Sequence, residues 1–425
     1  MPEPGATEAR VLRGPARWTG TGRRPLSMPV LLLALLGLGL GILLVAMLVR
    51  GLDSSPMPDL QVYRRGVQVW LSGQDLYGFH NTGPDGEVMP FTYPPFAVLV
   101  LLPLAWVPDV VANRLWLAML LALTALLAVV LLRQAPGARR RLSGRALLGG
   151  SLVTIALLLS APVDDGLALG QVSLVITAMA LLDAGGILPA RWRGVLVGLA
   201  GAIKLVPLVF VPYFLITRQW RAARNAAVSF AAATLLAFVV APRESLLYWT
   251  RMVFATGRVG EPEARANKSL TGLLARWDLG GDHRMLAWLL LCAVVAAVAL
   301  WRARRHHLRG EEFAAALTVG ILSVAVSPIS WVHHQAWLPL TALYLLLLRR
   351  RGPAVAGALL LAAYALGTPF LDWPDLYVLD DPILGEVLSV IPVVVLAVGL
   401  PARALPAAGV PTAGVPELSR PPALV

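Results

Sequence analysis

The chain contains a single cysteine, Cys292, inside an apolar run, so neither an internal disulfide nor a cysteine-built metal centre can form. Lysine is almost missing: Lys204 and Lys268 are the only two among 36 basic residues. Charged residues make up 14% of the 425 positions, against about 25% in a soluble domain, which excludes a surface wetted all round. Two-residue alternation is also lacking in the long Leu/Ala/Val-rich runs. That excludes a barrel and leaves helices as the way to satisfy backbone groups inside lipid.

What is present is apolar length. Hydrophobic residues make up 57% of the chain, and runs such as 28–49 and 146–160 approach the roughly 20 residues a helix needs to cross a ~30 Å hydrocarbon layer. The net charge of +12 comes from arginines clustered in short loops between these runs. That is the pattern of cytoplasmic retention and contact with anionic lipid, so no nucleic-acid partner is expected.

Loop charge sets a topology. Residues 1–27 and 402–425 read as disordered cytoplasmic tails, and 28–401 as one transmembrane domain. A first span at 28–49 leads to an external loop at about 50–92. Apolar stretches at about 94–107 and 109–132 then return to the basic loop of Arg133, Arg139, Arg140, Arg141 and Arg145. Further spans are expected at about 146–162, 168–187, 226–241, 285–301, 313–327, 335–348, 354–369 and 383–401. The segment 194–217, interrupted by Lys204, Pro207 and Pro212, reads as two broken or short helices. A second external loop covers about 242–283, and the acids Asp372, Asp375, Asp380 and Asp381 form another. The expected fold is all-α, a multi-pass helix bundle of about 10–13 membrane segments with both termini cytoplasmic.

Several polar residues gather at the outer boundary. Asp59 and Tyr63 are four apart and share a face if that stretch is helical. Tyr93-Pro94-Pro95 makes the next membrane entry rigid and extended, beyond simple aromatic anchoring. Asp164-Asp165 precedes Gly170-Gln171; two carboxylates without a third ligand are a weak metal signature, and no metal is expected. Lys204 at membrane depth marks a functional cation or one that snorkels or pairs with an acid. Ser330-Trp331-Val332-His333-His334 carries two imidazoles, and since neighbours on a helix point about 100° apart, one of the two should face a site. His306-His307, in an arginine-rich loop, reads as solvated charge. Asn267-Lys268-Ser269 lies in the second external loop and also matches the glycosylation triplet.

In this order the pieces resemble glycosyltransferase family 87, polytopic enzymes of the GT-C class that use polyprenyl-phosphate sugars. The family includes mycobacterial mannosyltransferases acting on phosphatidylinositol mannosides and lipoglycans. The resemblance rests on Asp59 with Tyr63 and Gly66; Gly73 with Asp75, Leu76 and Tyr77; Tyr93-Pro94-Pro95; and Gly170-Gln171. It continues through Lys204 with Pro207, Asn267 with Ser269-Leu270, and Ser327-Pro328 to Ser330-Trp331 and His333-His334. Val332 stands where the family pattern carries an acid, and Ser173 where asparagine is more usual.

The resemblance implies a GT-C bundle whose extracytoplasmic loops form the active site of a cell-membrane enzyme. It implies a polyprenyl-phosphate sugar donor, most simply mannose, a glycolipid or lipoglycan acceptor, inversion at the anomeric carbon and no cofactor. Asp59 becomes the general base, and His333 or His334 the phosphate contact, with Tyr63, Tyr93, Lys204, Gln171, Asn267 and Trp331 binding substrate. The alternatives are arabinofuranosyl transfer from polyprenyl-phosphate arabinose, or a lipid-linked sugar flippase or transporter.

Overall fold

The computed structural model describes residues 57–83, 86, 88–135, 144–277, 281–365 and 382–402, with residue 41. Outside the described residues lie the rest of the expected first span at 28–49, the tail 1–27 and residues 403–425. The same holds for Arg139, Arg140 and Arg141 and for the loop with Asp372, Asp375, Asp380 and Asp381.

Helix α1 (Pro58–Leu71) opens with Pro58, whose missing N–H has no helical partner to lose, and with Asp59 in the first turn, where a carboxylate complements the helix dipole. Leu60, Tyr63, Arg64 and Val67 recur every three or four residues and are buried. The Arg64 guanidinium in that stripe is matched by the Asp109 carboxylate and by the Leu104 carbonyl at 2.9 Å. An antiparallel ribbon follows, β1 (His80–Thr82) and β2 (Val88–Pro90), with His80 opposite Pro90. This short ribbon is the one departure from the all-α expectation among the described residues. The turn formers Gly83, Pro84, Asp85 and Gly86 separate the two short arms.

Pro95 leads into α2 (Phe96–Leu101), which tightens to a 3-10 turn over Leu102–Trp106 before α3 (Asp109–Arg133). The 25 residues of α3 reach about 37 Å at 1.5 Å per residue. Next come α4 (Gly144–Leu158) and α5 (Ala161–Leu169), bent by 71° where Pro162 cannot continue the hydrogen-bond ladder. The spans expected at about 146–162 and 168–187 leave Asp164-Asp165 exposed between them. Instead both lie on α5, and Asp164 is buried.

Helix α5 stops at Gly170, φ 72°, with the Gln171 N–H on the Gly166 carbonyl at 2.8 Å. A side chain at position 170 would place its Cβ 2.8 Å from the Cβ atoms of Met57 and Leu60, so α1 crosses this corner in direct contact.

The chain continues through α6 (Ser173–Ala184) and α7 (Val195–Ile203), which ends at Lys204 in an extended conformation. A 3-10 turn over Val206–Val209 and α8 (Phe210–Ile216) complete the expected broken segment. Then follow α9 (Trp220–Val240), α10 (Pro242–Thr250), α11 (Leu270–Arg276), α12 (Gly281–Leu308), α13 (Glu312–Val326), α14 (Trp337–Leu347), α15 (Arg351–Ala365) and α16 (Pro382–Val398). Helix α13 is buried from Phe313 through Ala325 and α14 from Trp337 through Leu345. The segment joining these two central helices therefore has little freedom, and it carries the histidine pair in a 3-10 turn, Val332–Ala336.

At the other end of α13, His306 and His307 are not solvated charges. His306 is buried with Nδ1 2.7 Å from Glu311, and His307 pairs with Glu312 at 2.8 Å, closing the α12–α13 turn.

Among the described residues, α3, α9 and residues His283–Leu308 of α12 are long and apolar enough to cross a bilayer, and the bent α4–α5 pair qualifies as a fourth. The other apolar helices are shorter, so length and composition alone mark fewer crossings than the 10–13 expected. Only 11% of the apolar window in α12 is buried, and Leu286, Leu289, Leu290 and Val294 are exposed along it. An apolar stripe of that length needs lipid against it. The protein is a mostly helical membrane protein.

Candidate active site

Asp59 stands at the start of α1, and the corner after α5 brings Gln171 beneath it. Gln171 Nε2 donates to Asp59 Oδ2 at 2.6 Å. The amide is held by its other end: Oε1 accepts from Tyr63 OH at 3.0 Å, Ser173 Oγ at 3.3 Å and Tyr93 OH at 3.5 Å. Tyr63 and Tyr93 also meet hydroxyl to hydroxyl at 2.8 Å, and Tyr77 OH ties the Tyr93 carbonyl at 3.0 Å. Three hydroxyls on Oε1 leave only one orientation for the amide, with its N–H toward the carboxylate. Tyr63 and Tyr93 are thus supports behind Gln171, both buried. Asp59 Oδ1 has no hydrogen-bond partner among the described residues.

The histidines lie opposite. His334 has both ring nitrogens engaged: Nδ1 accepts the Trp331 backbone N–H at 3.1 Å, and Nε2 is 2.8 Å from Lys204 Nζ. His333 has one engaged, Nδ1, 2.9 Å from Asp165 Oδ2. Its Nε2 is buried without a partner among the described residues, as is Ser330 Oγ. Lys204 Nζ also lies 5.4 Å from the Tyr93 ring centre, linking the histidine turn to the tyrosine cluster.

These groups act on one another. Burial pushes the Asp59 carboxyl above the usual carboxylate range. His333, the Gln171 hydrogen bond and Lys204 pull it back down, while Asp165 adds to the rise. Burial also holds the His334 imidazole well below its ordinary range, with the Lys204 and His333 charges acting the same way. A half-buried carboxylate with a free oxygen and a raised proton affinity is suited to accept a proton.

Asn267 and Trp331, expected to bind substrate, have structural duties in this arrangement. Asn267 is fully buried: Oδ1 accepts from Ser330 N–H at 2.9 Å and Ser269 N–H at 3.2 Å, and Nδ2 donates to the Pro262 carbonyl at 3.0 Å. It staples the segment before α11 to the histidine turn, and its burial closes it to glycosylation. Trp331 lies against Gly260, φ 145°, where any Cβ would come within 2.4 Å of the ring. Asp165 is the residue that sequence reasoning left outside the site, having read it as half of a weak metal pair. Its separation from His333 by 168 positions offers no local signal.

Comparison with known proteins matches residues 91–328 to the model for glycosyltransferase family 87. A polyprenol-phosphate-mannose-dependent alpha-(1-2)-phosphatidylinositol mannoside mannosyltransferase of Mycobacterium tuberculosis is 37% identical, covering 70% of this chain and 72% of the relative. Its namesake in Mycolicibacterium smegmatis is 34% identical over 72% of this chain and 74% of the relative. A polyprenol-phosphate-mannose-dependent alpha-(1-2)-phosphatidylinositol pentamannoside mannosyltransferase of Mycolicibacterium smegmatis is 32% identical, over 74% and 76%.

Proposed function

Because this chain belongs to glycosyltransferase family 87 and is a glycosyltransferase, we propose that it transfers mannose from a polyprenyl-phosphate donor to a phosphatidylinositol mannoside or related envelope lipoglycan, with inversion. The observation that carries this reading is the chain of contacts that joins Asp59, with Oδ1 open, through Gln171 and Tyr93 to Lys204 and the histidine turn. Mannose is favoured over arabinose because the relatives are named for a polyprenol-phosphate-mannose donor. The transporter reading gives way to the enzyme.

In the proposed reaction Asp59 Oδ1 takes the proton from an acceptor hydroxyl as that oxygen attacks the anomeric carbon. The bond from that carbon to the phosphate oxygen breaks on the opposite face, and its electron pair leaves with the polyprenyl phosphate. Base assistance of this kind contributes about 10²–10⁴-fold. Positioning and cationic donors on the departing phosphate supply the remainder. Lys204 and His333 are assigned to the phosphate, and Gln171, held by Tyr63 and Tyr93, to the orientation of Asp59. The site faces the extracytoplasmic side of a multi-pass protein with cytoplasmic termini, and the domain runs over 28–401.

The test is incubation of purified protein in lipid nanodiscs with radiolabelled polyprenyl-phosphate mannose, and separately polyprenyl-phosphate arabinose, against extracted phosphatidylinositol mannosides. Label should move from the mannose donor only, and Asp59→Asn should bind donor without turnover. Transfer from the arabinose donor alone would sink the mannosyl assignment.

A further inference from the structure

The two adjacent imidazoles are not equivalent. His334 has a partner on each nitrogen, the Trp331 N–H and Lys204 Nζ. His333 has one, the Asp165 carboxylate on Nδ1 at 2.9 Å, and keeps Nε2 buried and unpartnered. A carboxylate oxygen accepts, so Nδ1 of His333 bears the proton in that contact and Nε2 is the nitrogen left for another molecule. Buried polar atoms rarely lack a partner, and here there are two in one segment, His333 Nε2 and Ser330 Oγ.

Asp165 itself is placed for this task. Its side chain is about one-third exposed (37%), whereas that of His333 is 5% exposed. Its neighbour Asp164 is buried on the same helix and, among the described residues, makes no side-chain hydrogen bond to either histidine. The bend between α4 and α5 lays α5 along the histidine turn, so one helix carries Asp165 to His333 and its exit corner carries Gln171 to Asp59.

We propose that Asp165 is a positioning residue that holds His333 with Nε2 toward the phosphate oxygen departing with the polyprenyl chain. This rests on the polyprenyl-phosphate reading above. The donor is a phosphodiester with one negative charge, whereas the leaving group is a phosphate monoester that develops a second. The acceptor proton goes to Asp59 and the electron pair of the broken bond stays on the phosphate oxygen; His333 acts as the imidazolium, its Nδ1–H held by Asp165 and its Nε2–H donating to that oxygen. Asp165 on Nδ1 keeps the ring fixed while Nε2 donates. A donor that strengthens as the second charge appears favours the transition state and the product phosphate over the bound diester.

The experiment uses the full chain in nanodiscs and measures kcat, donor KM and the affinities for polyprenyl phosphate and polyprenyl-phosphate mannose. In Asp165→Asn the amide oxygen still accepts from Nδ1, so kcat should fall about tenfold with donor KM nearly unchanged. In Asp165→Leu, kcat should fall about 100-fold or more, affinity for polyprenyl phosphate about tenfold, and affinity for the mannosyl diester less than about threefold. Asp165→Glu should recover part of the Leu loss. Wild-type values in both Asn and Leu variants would overturn the proposal, as would equal loss of affinity for both lipids. Should the Leu variant not fold, the Asn variant decides, by kcat and by the ratio of the two affinities. If wild-type protein binds both lipids but transfers no mannose, the functional reading fails while the Asp165-dependent ratio still judges this one.

Discussion

Gln171 donates to Asp59 over 2.6 Å, joining residues 112 positions apart at the corner where α5 meets α1. The amide is locked from behind by Tyr63, Tyr93 and Ser173, so it fixes the carboxylate and, in the proposed reaction, leaves Oδ1 for the acceptor. Gln171→Leu removes that hold while keeping the volume. Turnover should fall about 10–100-fold, the scale of a misplacement near 1 Å, with a smaller change in donor KM. Unaltered kcat in the nanodisc assay would remove Gln171 from the machinery.

The pH dependence follows from Asp59. A general base works only when ionised, and burial lifts this carboxyl above the usual range. Activity should therefore be lost as pH falls through a value higher than an ordinary aspartate would give, and be restored as pH rises through it. Gln171→Glu sets a second carboxylate beside Asp59 and should move that acid limb further up. A kcat/KM profile flat down to pH 4 would contradict the assignment.

Lys204 bridges His334 and the Tyr93 ring, bringing a cation between the two halves of the site. Lys204→Met preserves the apolar stem and removes the charge. It should raise donor KM and lower kcat, each by about tenfold or more, since in the proposed reaction the cation serves the diester and the departing monoester alike. Unchanged donor kinetics would place Lys204 in a purely structural role.

Gly170 has a positive φ and no room for a Cβ beside Met57 and Leu60. Gly170→Ala should cost about 1–3 kcal/mol through backbone strain and overpacking, read as a lowered Tm in detergent. Turnover should fall with it, because the same corner aims Gln171. A variant as stable and as active as wild type would show that α1 can yield at this contact.

Some of this was legible in the chain. Apolar runs between arginine clusters identify a membrane protein because lipid leaves the backbone few options. Asp59 and Tyr63 share a helical face because four residues make about one turn, and in the structure both touch Gln171. The break at Pro207 follows from a ring that cannot donate, whereas the 71° bend before Pro162 falls at the end of the expected span 146–162. By contrast, His306 and His307 read as solvated from their arginine neighbours, yet they close on Glu311 and Glu312. Local composition does not say which way a loop folds back.

The residue sequence by itself determined the solvent the protein lives in, its helical periodicity and the inventory of acids, imidazoles and the one lysine inside an apolar run available for chemistry. Tertiary structure alone decided which of two adjacent histidines keeps a nitrogen open, that Asp165 serves that histidine, and that Gln171 holds Asp59. Those outcomes depend on contacts spanning 112 to 168 residues, set by a 71° helix bend and a left-handed glycine. Hydrogen bonds reach only about 3 Å, so such pairings exist only after the packing of α1, α5 and α13 is complete.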